Sequence, residues 1–426
     1  MEVREPSAKY LGRLGYKQTE VGMIPDDWEV KQIGELNPFV TSGSRGWAAF
    51  YSDRGSPFIR ITNLSRTCIY PDLEDLRFVS LVTNDSEATR TQLRDGDVLI
   101  SITADIGIVG HVTAKLPKPA YINQHIALVR FDSARTNSRF ISYFLASENP
   151  QKHFQALTDS GAKAGMNLTT VQQIRIAVPP TKAEQEAIAE ALSDADAFIE
   201  SLEQLLSKKR HLKQGAMQEL LTGTKRLPGF SGKWEVKRLG VLAKIQRGAS
   251  PRPIDSPTWF DEKSSIGWVR ISDVTKSGMY LLETTQRLSP AGVQKSRPVN
   301  RGSLIMSICA TVGRPIITKI EACIHDGFVV FDNLRVNQHF MYYVLKSIEG
   351  NWSQHGQTGS QMNLNTGLIN RTEVSVPTAL EEQTAIAAIL SDMDAEIAAL
   401  EGKLAKARSL KQGMMQELLT GRIRLV

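Results

Sequence analysis

The sequence predicts an α+β fold: two mixed, mainly β domains separated by two long helices that form an antiparallel coiled coil, with a pseudo-twofold internal repeat. Three observations predict this fold. A stretch of 45 residues occurs twice. Apolar residues in both copies recur at the spacing of a coiled coil. Short runs rich in Val, Ile and aromatic residues precede each copy in the same order, and such runs are typical of strands.

The repeated stretch covers residues 179–223 and 377–421, a separation of 377 − 179 = 198 residues, and the copies agree at 28 of 45 positions without a gap. This is an internal duplication. At 1.5 Å per residue, about 40 helical residues make a rod of about 60 Å. Such a rod has one apolar stripe, and its nearest partner is its own duplicate. A structural bundle or a dimerisation coil is the alternative to an intramolecular strut.

Sequence signals mark the ends of both helices. Thr-x-x-Glu capping boxes, which satisfy free amide donors at a helix start, are Thr181 with Glu184 and Thr378 with Glu381. Gly223 and Gly421 are expected to end the helices. Gly402 stands in the second helix where the first has Gln204, and it is expected to weaken that helix locally by about 1 kcal/mol.

The apolar residues between these ends recur at spacings of four and three, which indicates a coiled-coil seam. The side chains expected to pack the helix pair are Ile188, Leu192, Ile199, Leu202 and Leu206 in the first copy and Ile386, Leu390, Met393, Ile397, Leu400 and Leu404 in the second. The paired carboxylates beside this seam are expected on a solvated surface or at subunit contacts, because residues two apart point to different faces. These are Asp194 with Asp196 and Asp392 with Asp394.

Each long helix follows a region of about 150 residues with the same order of features. Trp28 begins WEVKQIGEL, and Trp234 begins WEVKRLGVL. The runs VLISI and IALVRF in the first region, and LIMSI and FVVF in the second, predict strands. FISYFLAS and FMYYVLKS predict one amphipathic helix near the end of each region. The two regions have diverged more than the two helices.

The predicted boundaries are residues 1–178 for an N-terminal segment and the first domain, 179–223 for the first long helix, 224–376 for the second domain, and 377–426 for the second long helix and a C-terminal tail. The polar N-terminal segment is expected to contain a short helix before the Pro25–Asp26 turn. GRIRLV follows the second helix much as GTKRLPG follows the first. The halves therefore look circularly arranged, with the termini close together and the helices antiparallel.

Composition sets broad limits on the class of protein. A chain of 426 residues with 41% hydrophobic residues can bury a core, and its formal charge of +6 with a pI near 9.1 is compatible with a polyanion partner. No apolar run is long enough to span a bilayer and the start of the chain has no signal-peptide core, so we expect a cytoplasmic protein. Three scattered cysteines predict buried small side chains and no disulfide framework: Cys68, Cys309 and Cys323.

Several of these motifs together resemble a known family. They are YKQTEVGMIPDDWEVKQIGEL at residues 16–36, the EQxAIAxxLSDxD helix starts at Glu184 and Glu382, and the KQGxMQELLTG helix ends at Lys213 and Lys411. With the two diverged regions between them, they resemble the DNA specificity subunit of Type I restriction-modification systems over the whole chain.

The resemblance implies a function and a set of partners. Two target recognition domains would each read one half of a split sequence in double-stranded DNA, and the paired helices would set the gap. The subunit would have no catalytic activity and bind no cofactor. Two modification subunits would bring S-adenosylmethionine and methylate adenine, and restriction subunits would bring the ATP- and Mg-dependent motor and nuclease.

Matched polar loops are the candidates for reading DNA, since Arg, Lys, Asn, Gln, Ser and Thr contact base edges and phosphates. Each domain carries a Gly, Ser and Arg-rich loop after its first strand, a second polar loop near its end, and a short turn that could lie beside them. Arg60 and Arg270 lie in apolar strand runs, where a structural ion pair is the alternative to a phosphate contact. The residues expected to contact DNA are Ser42, Ser44, Arg45, Trp47, Arg60, Asn123, Gln124, His125, Lys163, Asn167, Arg247, Ser250, Arg252, Arg270, His325, Asp326, Gln357, Ser360, Gln361 and Asn363.

Two other classes of function remain alternatives. One is a solitary nuclease or methyltransferase, although Asn37-Pro38-Phe39 and Asn149-Pro150-Gln151 lack the second proline of an adenine methyltransferase motif. The chain has no GxxxxGK[ST] loop for nucleotide phosphates, and its histidines lack the spacing of a metal site. The other alternative is a scaffold coil that carries two protein-binding modules.

Overall fold

The computed structural model describes residues 15–43, 45–80, 86–159, 165–352 and 364–425. Contacts divide the chain into two compact units, of which the first comprises Met1–Glu203 with Gly402–Val426 and the second Gln204–Glu401. None of the described helices combines the length and the apolar run that crossing a membrane requires. Cys323 is buried, as predicted, whereas Cys68 and Cys309 are half-buried.

The first unit is built from short strands and a few helices before the first long helix. Its strands are β1 (Tyr16–Thr19), β2 (Gly22–Pro25), β3 (Glu29–Gln32), β4 (Phe39–Ser42), β5 (Tyr51–Ser52), β6 (Ser56–Ile59), β7 (Arg77–Val79), β8 (Val98–Ser101), β9 (Val109–His111), β10 (Tyr121–Ile122), β11 (Ile126–Arg130) and β12 (Arg175–Val178). Its helices are α1 (Ser86–Thr91), α2 (Ser138–Ala146), α3 (Glu148–Asp159), α4 (Leu168–Gln173) and the first part of α5 (Lys182–Thr222).

The second unit repeats this plan. Its strands are β13 (Trp234–Arg238), β14 (Lys244–Arg247), β15 (Gly267–Val269), β16 (Tyr280–Leu281), β17 (Gln286–Arg287), β18 (Arg297–Val299), β19 (Leu304–Ser307), β20 (Pro315–Thr318), β21 (Ala322–Ile324), β22 (Phe328–Asp332) and β23 (Glu373–Pro377). Its helices are α6 (Leu239–Leu242), α7 (Ile271–Lys276), α8 (Pro290–Gln294), α9 (Gln338–Ser347), α10 (Glu349–Trp352), α11 (Thr366–Arg371) and the first part of α12 (Leu380–Leu418).

The sheet order is repeated between the units. The order β4-β11-β8-β9 in the first unit recurs as β14-β22-β19-β20 in the second, where β16 extends the sheet. The parallel pair β10 with β6 recurs as β21 with β15, and the antiparallel pair β12 with β3 recurs as β23 with β13. The predicted mixed, mainly β domains are therefore confirmed.

Strand β8 shows why the predicted strands read as continuous apolar runs. All of its residues are buried. Val98 and Ile100 belong to the same hydrophobic cluster as Phe140 of α2, whereas Leu99 belongs to a second cluster on the other side of the sheet. Since both faces of the strand are covered, its sequence has no polar alternation.

The short helix predicted before Pro25 is wrong for the part of this segment that the structure describes. Residues 16–25 form the antiparallel hairpin β1-β2. Gly22 closes its turn at φ 109°, and the Thr19 hydroxyl donates a 2.7 Å hydrogen bond to the Gly22 carbonyl. A turn that needs positive φ favours glycine and a hairpin over a continuous helix.

The two long helices run antiparallel within each unit, as predicted. In the first unit the C-terminal part of α12 lies against α5, where Lys411 pairs with Asp196 at 2.5 Å and Arg408 with Glu203 at 2.5 Å. In the second unit the N-terminal part of α12 lies against α5, with Lys209 paired to Glu396 at 2.6 Å and Arg210 to Glu401 at 2.6 Å. Helix α12 continues through Gly402 without a break.

The predicted seam is buried most deeply where the helices meet the β domains. Ile188 and Leu192 are in the core cluster of the first unit, and Ile386 and Leu390 are in that of the second. Leu202, Leu206 and Leu404 are also buried, whereas Ile199, Met393, Ile397 and Leu400 are partly exposed.

The expectation that the paired carboxylates are solvated holds for Asp194 and Asp392, which are exposed. It is wrong for Asp196, which is 8% exposed, and for Asp394, which is half-buried and bonded. The spacing of the apolar residues does not include Asp196 in the seam, but the helix turns its side chain inward. There a lysine and a tyrosine hydroxyl supply the partners that a buried carboxylate requires.

The predicted helix starts are only partly right. The Thr181 hydroxyl accepts a 3.2 Å hydrogen bond from the Glu184 amide, as in a capping box. The Glu184 carboxylate, however, does not complete the box, since it binds the Arg424 guanidinium. The Thr378 hydroxyl donates to the Lys233 carbonyl at 3.0 Å, and α12 begins two residues later, at Leu380. Both helices end near glycines of positive φ, 74° at Gly223 and 66° at Gly421.

An arginine after each long helix folds back onto a buried glutamate. Arg226 binds Glu382 through two hydrogen bonds of 2.6 and 2.8 Å in the second unit. In the first unit Arg424 binds Glu184 and also Asp27, with two hydrogen bonds of 3.0 Å to Asp27. We call these contacts the arginine clamps. The clamp of the first unit brings the described start and end of the chain together, as the sequence predicted.

Candidate nucleic-acid interface

In the first unit, the loop after β4 crosses directly over the turn at residues 123–125. The Gly43 amide donates to the Ile126 carbonyl at 3.2 Å. A Cβ atom on Gly43 would lie 2.1 Å from the Asn123 carbonyl oxygen, so only glycine fits this crossing. Ser42, next to this crossing, is half-buried, and Arg45 is exposed.

Polar side chains join this turn to the loop after β8. The His125 Nδ1 atom lies 2.5 Å from the Thr103 hydroxyl, and Gln124 Nε2 lies 3.3 Å from His125 Nε2. The Asn123 side-chain oxygen accepts from the His125 amide at 3.2 Å. A backbone hydrogen bond also joins the turn to the end of β8, because the Ile102 amide donates to the His125 carbonyl at 2.9 Å.

The segment before α4 completes the cluster. The Met166 amide donates to the Ile102 carbonyl at 2.8 Å. Next to it, exposed Asn167 caps α4 by accepting from the Thr170 amide at 2.8 Å. This cap engages the side-chain oxygen of Asn167. The described parts of the three predicted loops of the first domain, which exclude residues 44 and 160–164, therefore lie beside one another.

The second unit builds the same crossing with Gly248. The Gly248 amide donates to the Phe328 carbonyl at 2.9 Å, and a Cβ atom on Gly248 would lie 2.0 Å from the His325 carbonyl oxygen. The Leu364 amide donates to the Ile308 carbonyl at 2.9 Å, the counterpart of the contact between Met166 and Ile102. The backbone frame of the cluster is therefore repeated.

Asp326 is the centre of the polar contacts in the second cluster. Its carboxylate accepts from the Ser250 hydroxyl at 2.6 Å and from Arg252 at 3.0 Å, and its carbonyl accepts from Arg247 Nε at 2.7 Å. The Ser250 hydrogen bond lowers the pKa of Asp326, and the Arg252 charge acts in the same direction. Two guanidinium groups are thus held beside one ionised carboxylate.

His325 belongs to the support of this cluster. Its ring lies between Trp268 and Phe328, with centroid distances of 5.7 and 4.8 Å, and its Nδ1 atom accepts from the Gly327 amide at 2.9 Å. Burial lowers the pKa of His325, against the opposing effect of the Asp326 charge. His325 is therefore a neutral acceptor at neutral pH.

Trp47 and Arg60, both predicted to contact DNA, make contacts within the first unit. Trp47 is 3% exposed and packs on Phe58 and Tyr121, so its burial contradicts a DNA contact. An aromatic ring in a polar loop has joined the core because burial removes its large apolar surface from water. Arg60 donates to the carbonyl and carboxylate of Asp75, which corresponds to the structural alternative.

Arg270 remains at the surface. Its side chain is exposed, and its amide donates to Asp273 at 2.9 Å at the start of α7. Six predicted contacts lie outside the described residues: Ser44, Lys163, Gln357, Ser360, Gln361 and Asn363.

Sequence reasoning missed the side chains that hold the crossing loops. Arg90 donates to the Ser42 carbonyl at 2.9 Å, and Arg297 binds the Arg247 carbonyl and the Gln246 side-chain oxygen. Thr103 was also missed, although it contacts His125. The sequence signal that could have found the two arginines is their position: Arg90 precedes β8 in the first half, and Arg297 precedes β19 in the second. Within the described ranges, His, Cys, Asp and Glu side chains do not gather in a group of three or more that could hold a metal ion.

Comparison with known proteins gives consistent matches. The model of a family described as Type I restriction modification DNA specificity domain matches residues 25–208 and 231–408. The chain is 25% identical over 427 residues to the putative type I restriction enzyme MjaX specificity subunit of Methanocaldococcus jannaschii, which covers 96% of this chain and 97% of that protein. It is 26% identical over 222 residues to the type I restriction enzyme MjaVIII specificity subunit of the same organism, covering 51% of this chain and 50% of the relative.

Two solved structures share the fold. One is the S subunit of a Type I restriction-modification system from M. genitalium, with a TM-score of 0.60, 15% identity and coverage of 97% of this chain and 99% of that chain. The other comes from work on complex assembly and conformational transition of the type I R-M system, with a TM-score of 0.56, 18% identity and coverage of 94% and 99%. At these identities the likeness concerns the fold alone.

Proposed function

The chain belongs to the Type I restriction modification DNA specificity family, and from this membership we propose that it reads a bipartite DNA target, one half per domain, without catalysing a reaction itself. The helix pair sets the gap between the halves. S-adenosylmethionine, ATP and Mg²⁺ belong to partner subunits in this proposal, and none is bound by this chain.

The observation that carries the proposal is one backbone frame built twice with different side chains. Gly43 and Gly248 make the same crossing, but the adjoining turn presents Gln124 and His125 in one unit and Asp326 in the other. Base edges in the major groove differ in their donors and acceptors, so different polar side chains select different bases. A repeated frame with different readers is suited to two unlike half-sequences.

The long helices support the role of a spacer. Helix α5 has 41 residues and α12 has 39, which corresponds to about 60 Å each. DNA advances about 34–36 Å per turn, so such a spacer spans about one and a half to two turns. Inserting four residues in register near Leu206 is expected to lengthen α5 by about 6 Å and to change the tolerated gap while both half-sequences stay the same.

We assign the bond-making steps to two modification subunits and to restriction subunits that join this chain on DNA. The support is the name of the full-length relative, which describes it as a specificity subunit of a restriction enzyme. A chain that reads DNA through Arg, Gln and His side chains also requires phosphate contacts, whose affinity falls steeply as salt rises.

The test is to map methylated adenines in DNA treated with this chain and its modification subunits. We expect two short specified segments separated by a fixed number of unspecified bases. Replacing residues 246–252 and 325–327 with the corresponding loops of a relative should change one segment and leave the other. A continuous target, or a change in both segments, would contradict the proposal.

Two controls separate this proposal from the alternatives. The purified chain alone, with DNA, Mg²⁺ and S-adenosylmethionine, should show no turnover, whereas a solitary enzyme would. Retention of DNA by the complex should depend on sequence and decrease with salt. A protein scaffold would show neither dependence.

A further inference from the structure

A polar contact in the first unit joins three elements at one point. Asp196 of α5 is 8% exposed, and its carboxylate lies 2.5 Å from the Lys411 ammonium of α12. The Tyr143 hydroxyl of α2 donates to the other Asp196 oxygen at 2.7 Å. The Lys411 ammonium also lies 5.8 Å from the centre of the Tyr143 ring. The β domain and both long helices thus meet at Asp196.

The second unit contains the same contact. Asp394 of α12 binds Lys213 of α5, and the Tyr343 hydroxyl of α9 donates to Asp394 at 2.8 Å. The Lys213 ammonium lies 5.6 Å from the centre of the Tyr343 ring. We call the two contacts the junctions.

The duplication relates the junctions position by position. Asp394 follows Asp196 by 394 − 196 = 198 residues, and Lys411 follows Lys213 by 411 − 213 = 198 residues. The helix donating the aspartate in one unit donates the lysine in the other. Both copies have kept these polar side chains beside the apolar seam, although 45 − 28 = 17 other positions of the repeat differ.

An apolar seam alone fixes neither register nor rotation well, because a shift by one heptad places similar aliphatic side chains opposite one another. A carboxylate in the seam is different, since it is costly to remove from water without its partners, and Asp196 is buried while Asp394 is half-buried. Each junction therefore favours one arrangement of α5, α12 and the domain helix. By contrast, the pair between Lys209 and Glu396 is more exposed and constrains the helices weakly.

We propose that the two junctions are specificity-determining contacts that fix the rotation of each recognition domain on the helix pair and thereby the number of base pairs tolerated between the half-sites. This inference rests on the proposed function. Adding one base pair rotates the second half-site by about 35° around the DNA axis. A domain held rigidly cannot follow that rotation, whereas a domain with a loosened junction can.

The experiment uses the complex with modification subunits and a set of DNAs that carry both half-sites at gaps one base pair shorter, equal and one base pair longer. Tyr343→Phe removes one hydroxyl and keeps the ring, and Asp394→Asn removes the charge. Both variants should raise methylation at the neighbouring gaps about tenfold relative to the preferred gap, a ratio that corresponds to about 1.4 kcal/mol. Lys209→Met, which breaks an exposed pair on the same helices, should leave the ratio unchanged.

The outcomes distinguish this inference from the proposed function. If the unaltered protein shows no gap preference, the proposed function fails. If it prefers one gap and Tyr343→Phe keeps the same ratios, or loses methylation equally at every gap, the junction has no role in spacing and the inference is overturned. A broadened gap with unchanged half-sequences supports it.

Discussion

The two recognition domains share the backbone crossing of a loop over a turn, and they differ in the polar side chains at that crossing. In the first unit, Gln124 and His125 stand at the turn that Gly43 crosses. In the second, Asp326 binds Ser250 and Arg252 beside the crossing of Gly248. The glycine crossings and the order of the shared strands are the same, so the common frame is constant and the polar side chains vary. This separation allows a target half to change without a change in the fold.

The arginine clamps give the sharpest contrast and the largest expected effect. Glu184 and Glu382 are both almost fully buried, but only Glu382 has a second side-chain donor, the Trp234 indole at 3.3 Å. The equivalent indole nitrogen of Trp28 has no partner among the described residues. Arg424→Ala should therefore cost about 3–5 kcal/mol, because it leaves a buried carboxylate unpaired.

Arg226→Ala is the matched variant and should cost less, because Trp234 still binds Glu382. Chemical denaturation of the full chain measures both changes. Equal losses in the two variants would show that the second donor contributes nothing.

The glycine crossings are expected to be the next most sensitive feature. Gly248→Ala places a Cβ atom against two backbone carbonyl oxygens, at 2.0 Å from His325 and 2.7 Å from Ile324. Separating the loop from the turn should cost about 1–3 kcal/mol. We expect Gly248→Ala to weaken reading of one half-sequence and Gly43→Ala to weaken the other.

Methylation of DNAs altered in one half at a time measures this division. Gly278→Ala is the control, since its Cβ atom would meet nothing within 4 Å. If Gly248→Ala and Gly43→Ala weakened both halves alike, the two crossings would not support separate readers.

A buried histidine makes the first unit sensitive to acid. His111 of β9 is 3% exposed, and burial lowers its pKa to about 4. The strand registers match it to Ile317 of β20, since Val98 pairs with His111 and Leu304 with Ile317. The unfolded chain takes up a proton near pH 6.5, so the contribution of neutral His111 is complete above that pH and is lost as pH falls towards 4.

At pH 5 the wild-type chain should therefore lose about 2 kcal/mol relative to pH 7, and His111→Ile should remove this loss. Thermal unfolding at both pH values provides the measurement, with His153→Gln, which alters an exposed histidine, as the control. A loss that persists in His111→Ile would assign the acid sensitivity to other groups.

The sequence predicted the repeated strands and the antiparallel helices, and it matched the polar loops of the two halves, because periodicity and duplication are visible in the chain itself. It did not predict partners that are distant in sequence. Glu184 looked like half of a capping box, but its partner Arg424 is 240 residues away. Asp196 looked solvated because the tyrosine and lysine that satisfy it lie on other elements. Trp47 looked like a polar-loop contact because its aromatic neighbours come from other strands.

The smallest predicted effect concerns the readers themselves. Ile122 and Ile324 occupy equivalent positions in the paired strands, so Gln124 matches Asp326. An arginine binds guanine through two acceptors, whereas a glutamine amide binds adenine. Asp326→Gln frees Arg252 from its carboxylate and adds an amide, so preference at one base of the second half should change by about 1–2 kcal/mol.

The reciprocal variant Gln124→Asp should change the base preference, because its carboxylate accepts but cannot donate a hydrogen bond to a base. Since Gln124 belongs to the first unit, the change should be confined to the first half of the target. Methylation mapping reports both halves in one experiment. Since each substitution leaves the glycine crossing and the junction intact, the gap should remain the same in both variants. A shift of the gap, or a change in the half that belongs to the other domain, would mean that the frame and the readers are not independent.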